Sequence, residues 1–237
     1  DLFGWRKGGL SARSRILITL FGAIPLIAIK AGDSTISFPL LGTLDLGLIY
    51  PLFFIPLGVV ATTTTFNMLA GFNGLEAGQG IILLSGLAFV SYLTGSAWLA
   101  FVCLCMVLAL LGFFVYNKFP SRVFPGDVMT YSIGVMIAAV AILGNFEKLA
   151  VFFYIPYIIE VILKSRGGLK KSSFGKPMKD GGLDNQYGKI YSLNHLSISL
   201  LRRAGIKSTE KNAVKMIWAF QLFIVILGIF LSRNTLF

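Results

Sequence analysis

The chain has 237 residues, of which 56% are hydrophobic and only 13% charged, and its mean hydropathy is +0.80. Soluble domains carry about a quarter charged residues, so this composition excludes an ordinary soluble protein and indicates an integral membrane protein. The net charge of +11 would suggest nucleic acid in a soluble chain; here the positions of the charges give another account.

Seven apolar stretches stand near the length a bilayer-crossing helix needs, at about 14–30, 48–66, 79–94, 97–116, 128–144, 149–164 and 213–232. They predict an all-α multi-pass membrane protein with about seven transmembrane helices. Between the first two lies AGDSTISFPLLGTLDLG, whose alternation in STISF and TLDL predicts a short β-hairpin on the membrane surface. The third and fourth stretches are joined only by TGSA and the fifth and sixth by GNFEK, so each pair reads as a tight helical hairpin. A long polar loop, 165–212, precedes the last helix. Cys103 and Cys105 are two apart in one apolar run, which puts them on different faces of a helix; they do not pair and identify no redox compartment. The chain opens on Asp1 with no signal-peptide pattern and reads as beginning partway through a longer protein.

If the N-terminus is cytoplasmic, all of the 21 Lys and Arg residues except Lys30, Lys148 and Arg233 fall on the cytoplasmic side. The positive-inside rule therefore orients the chain. It also accounts for the basic charge as topology, leaving no nucleic-acid partner to explain it. The β-hairpin then lies on the extracytoplasmic side, and nearly everything polar lies within.

Four cytoplasmic pieces need a reason: the N-terminal DLFGWRKGGLSARSR, the stretch NMLAGFNGLEAGQG from Asn67, NKFPSRVFPGD ending at Asp127, and the long loop. Taken singly, each polar residue has a plain explanation. Asp127 is an acid favoured at a helix N-terminus, Asn67 a polar helix end, Asn73-Gly74 a turn, and Glu76 a solvated interfacial acid. Taken together, Asp1, Asn67, Asp127 and Glu76 are hard oxygen donors at one membrane face among many cations. Mg²⁺ takes a few such oxygens, keeps waters and is completed by substrate phosphates, while basic side chains and exposed N–H groups hold phosphate oxygens. The residue types thus suggest metal-assisted phosphoryl chemistry on a membrane-held substrate. A transporter or a non-catalytic membrane subunit competes with it. Transporters place ionisable groups near the midplane and show inverted repeats; here only Glu160 stands well inside a helix, and no internal repeat is visible.

NMLAGFNGLEAGQG and PSRVFPGD resemble the signature stretches of the polyprenyl-phosphate N-acetylhexosamine-1-phosphate transferases, most nearly the dolichyl-phosphate N-acetylglucosamine-phosphotransferase type of archaea and eukaryotes. The resemblance runs from Asp1 to about Arg166, with the hydropathy of the last helix. It implies a fold of ten transmembrane helices, of which this chain lacks about three at the start, and an acidic pair whose second member is Asp1. It implies Mg²⁺ (or Mn²⁺) held by Asn67 and Asp127, and Asp1 beside the metal, orienting or deprotonating the lipid phosphate. Lys7 is implied near the transferred phosphate, Asn73 as the reader of uracil, an amide able to donate and accept, and Phe124 as the ring stacked on it. Gly71 and Gly74 are implied to let the backbone approach the nucleotide. Glu76 matches the motif without a catalytic role and is expected to anchor the loop.

Sugar and diphosphate recognition is implied in the 165–212 loop, where KKSSFGKP offers Lys170, Lys171 and Lys176. His195, the single histidine, is expected on an amphipathic helix near LNHLSISLL rather than in catalysis. The missing histidine cluster, and Asn73 where the bacterial branch has aspartate, point away from the peptidoglycan precursor. The implied partners are UDP-GlcNAc, or another UDP-N-acetylhexosamine, and a polyprenyl phosphate of the dolichyl kind, with a homodimer among the expected states. The implied location is an archaeal cell membrane, or the endoplasmic reticulum membrane of a eukaryote, with the active site on the cytoplasmic face.

Overall fold

A computed structural model describes residues 11–38 and 42–236, so Asp1 and Lys7 lie outside the described residues. Four helices are long and apolar enough to cross a membrane: Tyr50–Met68, Leu75–Leu93, Ala97–Asn117 and Glu210–Arg233. A fifth apolar helix, α6 (Asp127–Leu143), has 17 residues. The remaining two of the seven expected spans are interrupted. The first is split into α1 (Ala12–Phe21) and α2 (Ile24–Ala28), and the sixth into α7 (Glu147–Phe153) and α8 (Ile155–Ser165). Pro25 and Pro156 explain both breaks, since a proline lacks the N–H and crowds the carbonyl four residues back. Hydropathy alone does not register such breaks.

The Tyr50–Met68 span enters through a π turn, Tyr50–Phe54, ahead of α3 (Ile55–Met68). Pro56 cannot donate into the preceding turn, and the wider turn accommodates it. The run Thr62–Thr65 is tolerated in an apolar helix because each hydroxyl donates to the carbonyl four residues earlier, from Gly58 to Ala61. α3 packs on α6 where Gly134 lies against the Thr63 backbone, too close for any side chain. Small residues at such crossings let helix backbones approach.

α4 (Leu75–Leu93) is the most enclosed of the four spans and sits between α5 (Ala97–Asn117), α6 and α10 (Glu210–Leu236). Gly78 seats the Trp218 ring, and Gly86 faces Val225 and Phe153. The expected hairpin is present as β1 (Thr35–Phe38) and β2 (Gly42–Asp45), antiparallel, with Thr35 opposite Asp45. Asn145, in the α6–α7 turn, accepts the Asp33 N–H at 2.7 Å and ties the hairpin to the helix ends. The long loop before α10 holds the helix expected from LNHLSISLL, α9 (Leu193–Arg203), and a second antiparallel pair that the sequence pattern did not predict, β3 (Gly175–Pro177) with β4 (Leu183–Asn185).

Candidate active site

At the end of the bundle opposite β1–β2, the last turn of α3 meets the first turn of α6. The Asn67 amide donates to Asp127 Oδ1 at 2.9 Å and to Thr130 Oγ1 at 2.8 Å. Asp127 is the first helical residue rather than the cap, which is Gly126. Its charge still meets the positive end of the helix dipole, while the side chain reaches across to α3. Its other oxygen pairs with the Arg15 guanidinium of α1 at 3.3 Å, with both side chains about one-third exposed; solvent screening keeps such a pair weak.

The segment between α3 and α4 carries two positive-φ glycines, Gly71 (+113°) and Gly74 (+80°), a region L side chains rarely adopt. Its backbone is held by side chains from four helices. Lys164 of α8 donates to the Met68 carbonyl at 2.5 Å, and Asn194 of α9 to the Ala70 carbonyl at 3.2 Å. Glu76 of α4 accepts the Gly71 N–H at 2.9 Å, and Glu210 of α10 the Asn73 N–H at 2.5 Å. Trp218 of α10 donates to the Leu75 carbonyl at 3.2 Å. Buried peptide groups need partners, and a loop this short and twisted has few in its own backbone. Glu76 is therefore a loop anchor: it is buried, one oxygen holds Gly71, and the other has no partner.

Lys164 and α9 are set in turn by Glu160, which is fully buried. Its carboxylate accepts the Ser192 hydroxyl at 2.9 Å and the Leu193 N–H at 2.6 Å, and lies 3.6 Å from Lys164. His195 is also buried. Its Nδ1 accepts the Tyr191 N–H at 3.3 Å, so Nε2 carries the proton and donates to the Phe174 carbonyl at 3.2 Å. Burial pushes its pKa down. This is a structural histidine on α9 that fixes the Phe174 backbone.

These elements enclose a cavity of about 580 Å³. Asn67, Asn73, Glu76, Phe124, Asp127 and Thr130 line it together with Phe174, Gly175, Leu183 and Glu210. Phe124 is 66% exposed, so its ring offers an unpacked face at the rim. The Asn73 Oδ1 atom is buried and has no hydrogen-bond partner among the described residues. Of the residues named from the sequence, Asn67, Asn73, Phe124 and Asp127 are thus brought together.

Others stand elsewhere. Gly74 is absent from the cavity wall, and a Cβ there would meet the Phe114 ring at 3.0 Å, so its role is the left-handed turn into α4 and close packing on α5. Lys170, Lys171 and Lys176 are exposed and line no part of the cavity; Lys171 lies over the Tyr187 ring, 4.9 Å from its centroid. Lysine keeps its ammonium in water while its methylene stem lies along the surface. Their segment instead contributes Phe174, whose ring would stand 2.9 Å from a Cβ at Gly71.

Sequence reasoning missed Arg15, Thr130, Lys164, Phe174, Asn194 and Glu210. A signal existed for Thr130, one turn beyond Asp127 on the same helix face. No local pattern marks the rest.

The donor set can be tested against a hard cation. Among the described residues, no group of three His, Cys, Asp or Glu side chains could form an all-protein metal cage. Asn67 Oδ1 accepts no hydrogen bond among the described residues, and with the Asp127 carboxylate it offers amide and carboxylate oxygens at the cavity wall. That set suits Mg²⁺ completed by water and phosphate oxygens, with the Arg15 guanidinium sharing Asp127.

The sequence pattern of glycosyl transferase family 4 matches residues 5–145. A protein of Saccharolobus solfataricus, provisionally named UDP-N-acetylglucosamine–dolichyl-phosphate N-acetylglucosaminephosphotransferase, is 36% identical over the whole chain and 70% of its own length. The Dictyostelium discoideum protein of that name, without the qualifier, is 31% identical over 68% of the chain and 47% of its own length. A phospho-N-acetylmuramoyl-pentapeptide-transferase of Lactiplantibacillus plantarum is 34% identical over 66% of the chain and 50% of its own length. The family's pattern spans the helices that bring Asn67, Asn73, Phe124 and Asp127 to one cavity, and identity to the archaeal relative continues to the end of the sequence: the chain belongs to glycosyl transferase family 4.

Proposed function

We propose that this integral membrane protein transfers GlcNAc-1-phosphate from UDP-GlcNAc to a polyprenyl phosphate of the dolichyl kind. The observation that carries this reading is the convergence of Asn67, Asp127, Asn73 and Phe124 on one cavity at the helix ends, together with the names of the relatives. A lipid phosphate oxygen attacks the β-phosphorus of the nucleotide sugar. The bond from that phosphorus to the bridging oxygen breaks, and UMP leaves with the oxygen. Polyprenyl-diphospho-GlcNAc remains in the membrane.

Each group has one task in this reading. Asn73 Oδ1, lacking a partner, takes the N3–H of uracil, and Phe124 stacks on the base. Asn67 and Asp127 hold Mg²⁺, which supplies charge neutralisation at the diphosphate oxygens. Arg15, paired with Asp127, adds a guanidinium suited to phosphate. Asp1 and Lys7 act on the lipid phosphate and the transferred phosphate. The 165–212 loop serves the sugar end, through Phe174 and Gly175 at the cavity wall. The basic distribution supports a cytoplasmic site, where a soluble nucleotide sugar is available, and the interrupted helices complete about seven membrane crossings.

The test is UMP release by the full-length protein with dolichyl phosphate and a panel of UDP-sugars, with EDTA and with Mg²⁺ or Mn²⁺ restored. UDP-GlcNAc should be preferred and EDTA should abolish turnover. Release independent of the lipid, or unaffected by EDTA, refutes the assignment. Preference for another UDP-N-acetylhexosamine refutes the sugar alone.

A further inference from the structure

Resting on that reading, we infer that Glu210 is a positioning residue that fixes Asn73 and so sets the preference for uridine nucleotides. Glu210 opens α10, some 140 residues along the chain from the loop it holds. Its Oε1 accepts the Asn73 N–H at 2.5 Å, and its side chain lines the cavity. Two turns further along α10, Trp218 donates to the Leu75 carbonyl at 3.2 Å. One helix thus grips the peptide on each side of Gly74, the left-handed pivot at φ +80°.

The second observation concerns the residue being held. Asn73 Oδ1 is buried, accepts no hydrogen bond among the described residues, and belongs to a side chain on the cavity wall. A buried acceptor left unsatisfied is unfavourable, and a ligand N–H is what relieves it. Uracil has a proton on N3 where cytosine has a lone pair, so an acceptor fixed there distinguishes the two bases. Releasing the Asn73 N–H from Glu210 frees the peptide to rotate. The Asn73 amide can then turn and present donor or acceptor alike.

The chain just before Glu210 is also bonded to the β3–β4 hairpin. The Leu183 N–H donates to the Ser208 carbonyl at 2.7 Å, and the Ser208 hydroxyl to the Leu183 carbonyl at 2.5 Å. Leu183 and Glu210 both line the cavity. The β3–β4 hairpin and the start of α10 are therefore tied together, and Glu210 joins that hairpin to the nucleotide loop.

The experiment measures UMP and CMP binding to the full-length protein, wild type, E210A, E210Q and N73A, together with the KM for dolichyl phosphate. Gln retains an oxygen able to accept the Asn73 N–H; Ala does not. E210A should lose at least tenfold in UMP affinity and most of the UMP-over-CMP preference. E210Q should stay within about threefold of wild type, the lipid KM should not change, and E210A/N73A should be no weaker than N73A. If E210A does not purify as a folded protein, Glu210→Ser, with a hydroxyl too short to reach, takes its place. Unchanged UMP affinity and preference in E210A overturn the inference. So do equal losses in E210A and E210Q, or a parallel rise in the lipid KM, which mark general loosening. A wild type that does not prefer UMP overturns the nucleotide reading itself, and this inference with it.

Discussion

The pairing of Asn67 with Asp127 can be tested by Asn67→Asp, which puts an oxygen in place of a donating nitrogen. The two carboxylates would then face each other at the 2.9 Å separation of the present hydrogen bond. With an effective dielectric near 20, two unit charges repel by about 6 kcal/mol at that distance, and by about 4 kcal/mol after parting to about 4 Å. Arg15, 3.3 Å from the far oxygen of Asp127, relieves part of this, although its one-third exposure limits the relief. The variant should therefore melt well below wild type in EDTA. If Asn67 and Asp127 hold a divalent cation, the second carboxylate strengthens the site. Millimolar Mg²⁺ should then raise the N67D midpoint more than the wild-type midpoint, and far more than KCl at equal ionic strength. N67A should lose the metal oxygen and at least about 100-fold in turnover, as for removal of an electrostatic group acting on the transition state. An N67D protein as stable as wild type in EDTA would refute the contact. A destabilised N67D that gains no more from Mg²⁺ than from K⁺ would refute the metal assignment.

Gly134→Val forces a branched side chain into the Thr63 backbone; such overpacking costs about 1–3 kcal/mol, and by parting α3 from α6 it should lower kcat while UMP affinity holds. Glu160→Ala leaves Lys164 without its buried partner, and the Ser192 hydroxyl and Leu193 N–H at the start of α9 without their acceptor. Losing one member of a buried pair costs about 3–5 kcal/mol, visible as a lower melting midpoint and early proteolysis of the 165–209 segment. Gly71→Ala meets both a positive φ and the Phe174 ring, a strain of about 1–3 kcal/mol, and should weaken UMP binding unless Phe174→Ala makes room. Burial lowers the His195 pKa, so its contribution to stability is complete above the unfolded value of about 6.5 and declines as pH falls below it. His195→Gln should remove that part of the acid sensitivity in melts between about pH 7 and 5.

The apolar spans and β1–β2 were legible because each rests on a local period: about 20 apolar residues for a crossing, alternation for a strand. The breaks at Pro25 and Pro156 were written in the sequence too, but a mean over apolar residues does not weigh a missing N–H. Asn67 and Asp127 lie 60 positions apart; the charge count put both at one membrane face, and the family motif singled them out as a pair. The loop before α10 was legible only in part. Its lysines stand out by charge, whereas the residues it gives to the cavity wall are Phe174, Gly175 and Leu183. Glu210, read locally, is an unremarked acid in the first turn of a helix. Its contact with Asn73 depends on how α10 packs on α4, which no short window contains.

That dependence changes how the site should be apportioned along the chain. The family pattern covers residues 5–145 and includes every residue proposed for metal and uracil. Yet of the five side chains that hold the Met68–Leu75 backbone, only Glu76 lies within it; Lys164, Asn194, Glu210 and Trp218 lie beyond. Leu69 and Phe72 bury this loop, so peptide groups left without partners would be costly. The loop cannot simply exchange its anchors for water. On the proposed reading, the last three helices therefore shape the nucleotide site without contributing a ligand to it. A change in the packing of α10 reaches Asn73 through one hydrogen bond, and a change in α8 or α9 reaches the same loop at Met68 or Ala70. On this architecture, substitutions in α8–α10 that leave the cavity lining untouched should still raise the KM for the nucleotide sugar, and they should do so before they alter the KM for the lipid.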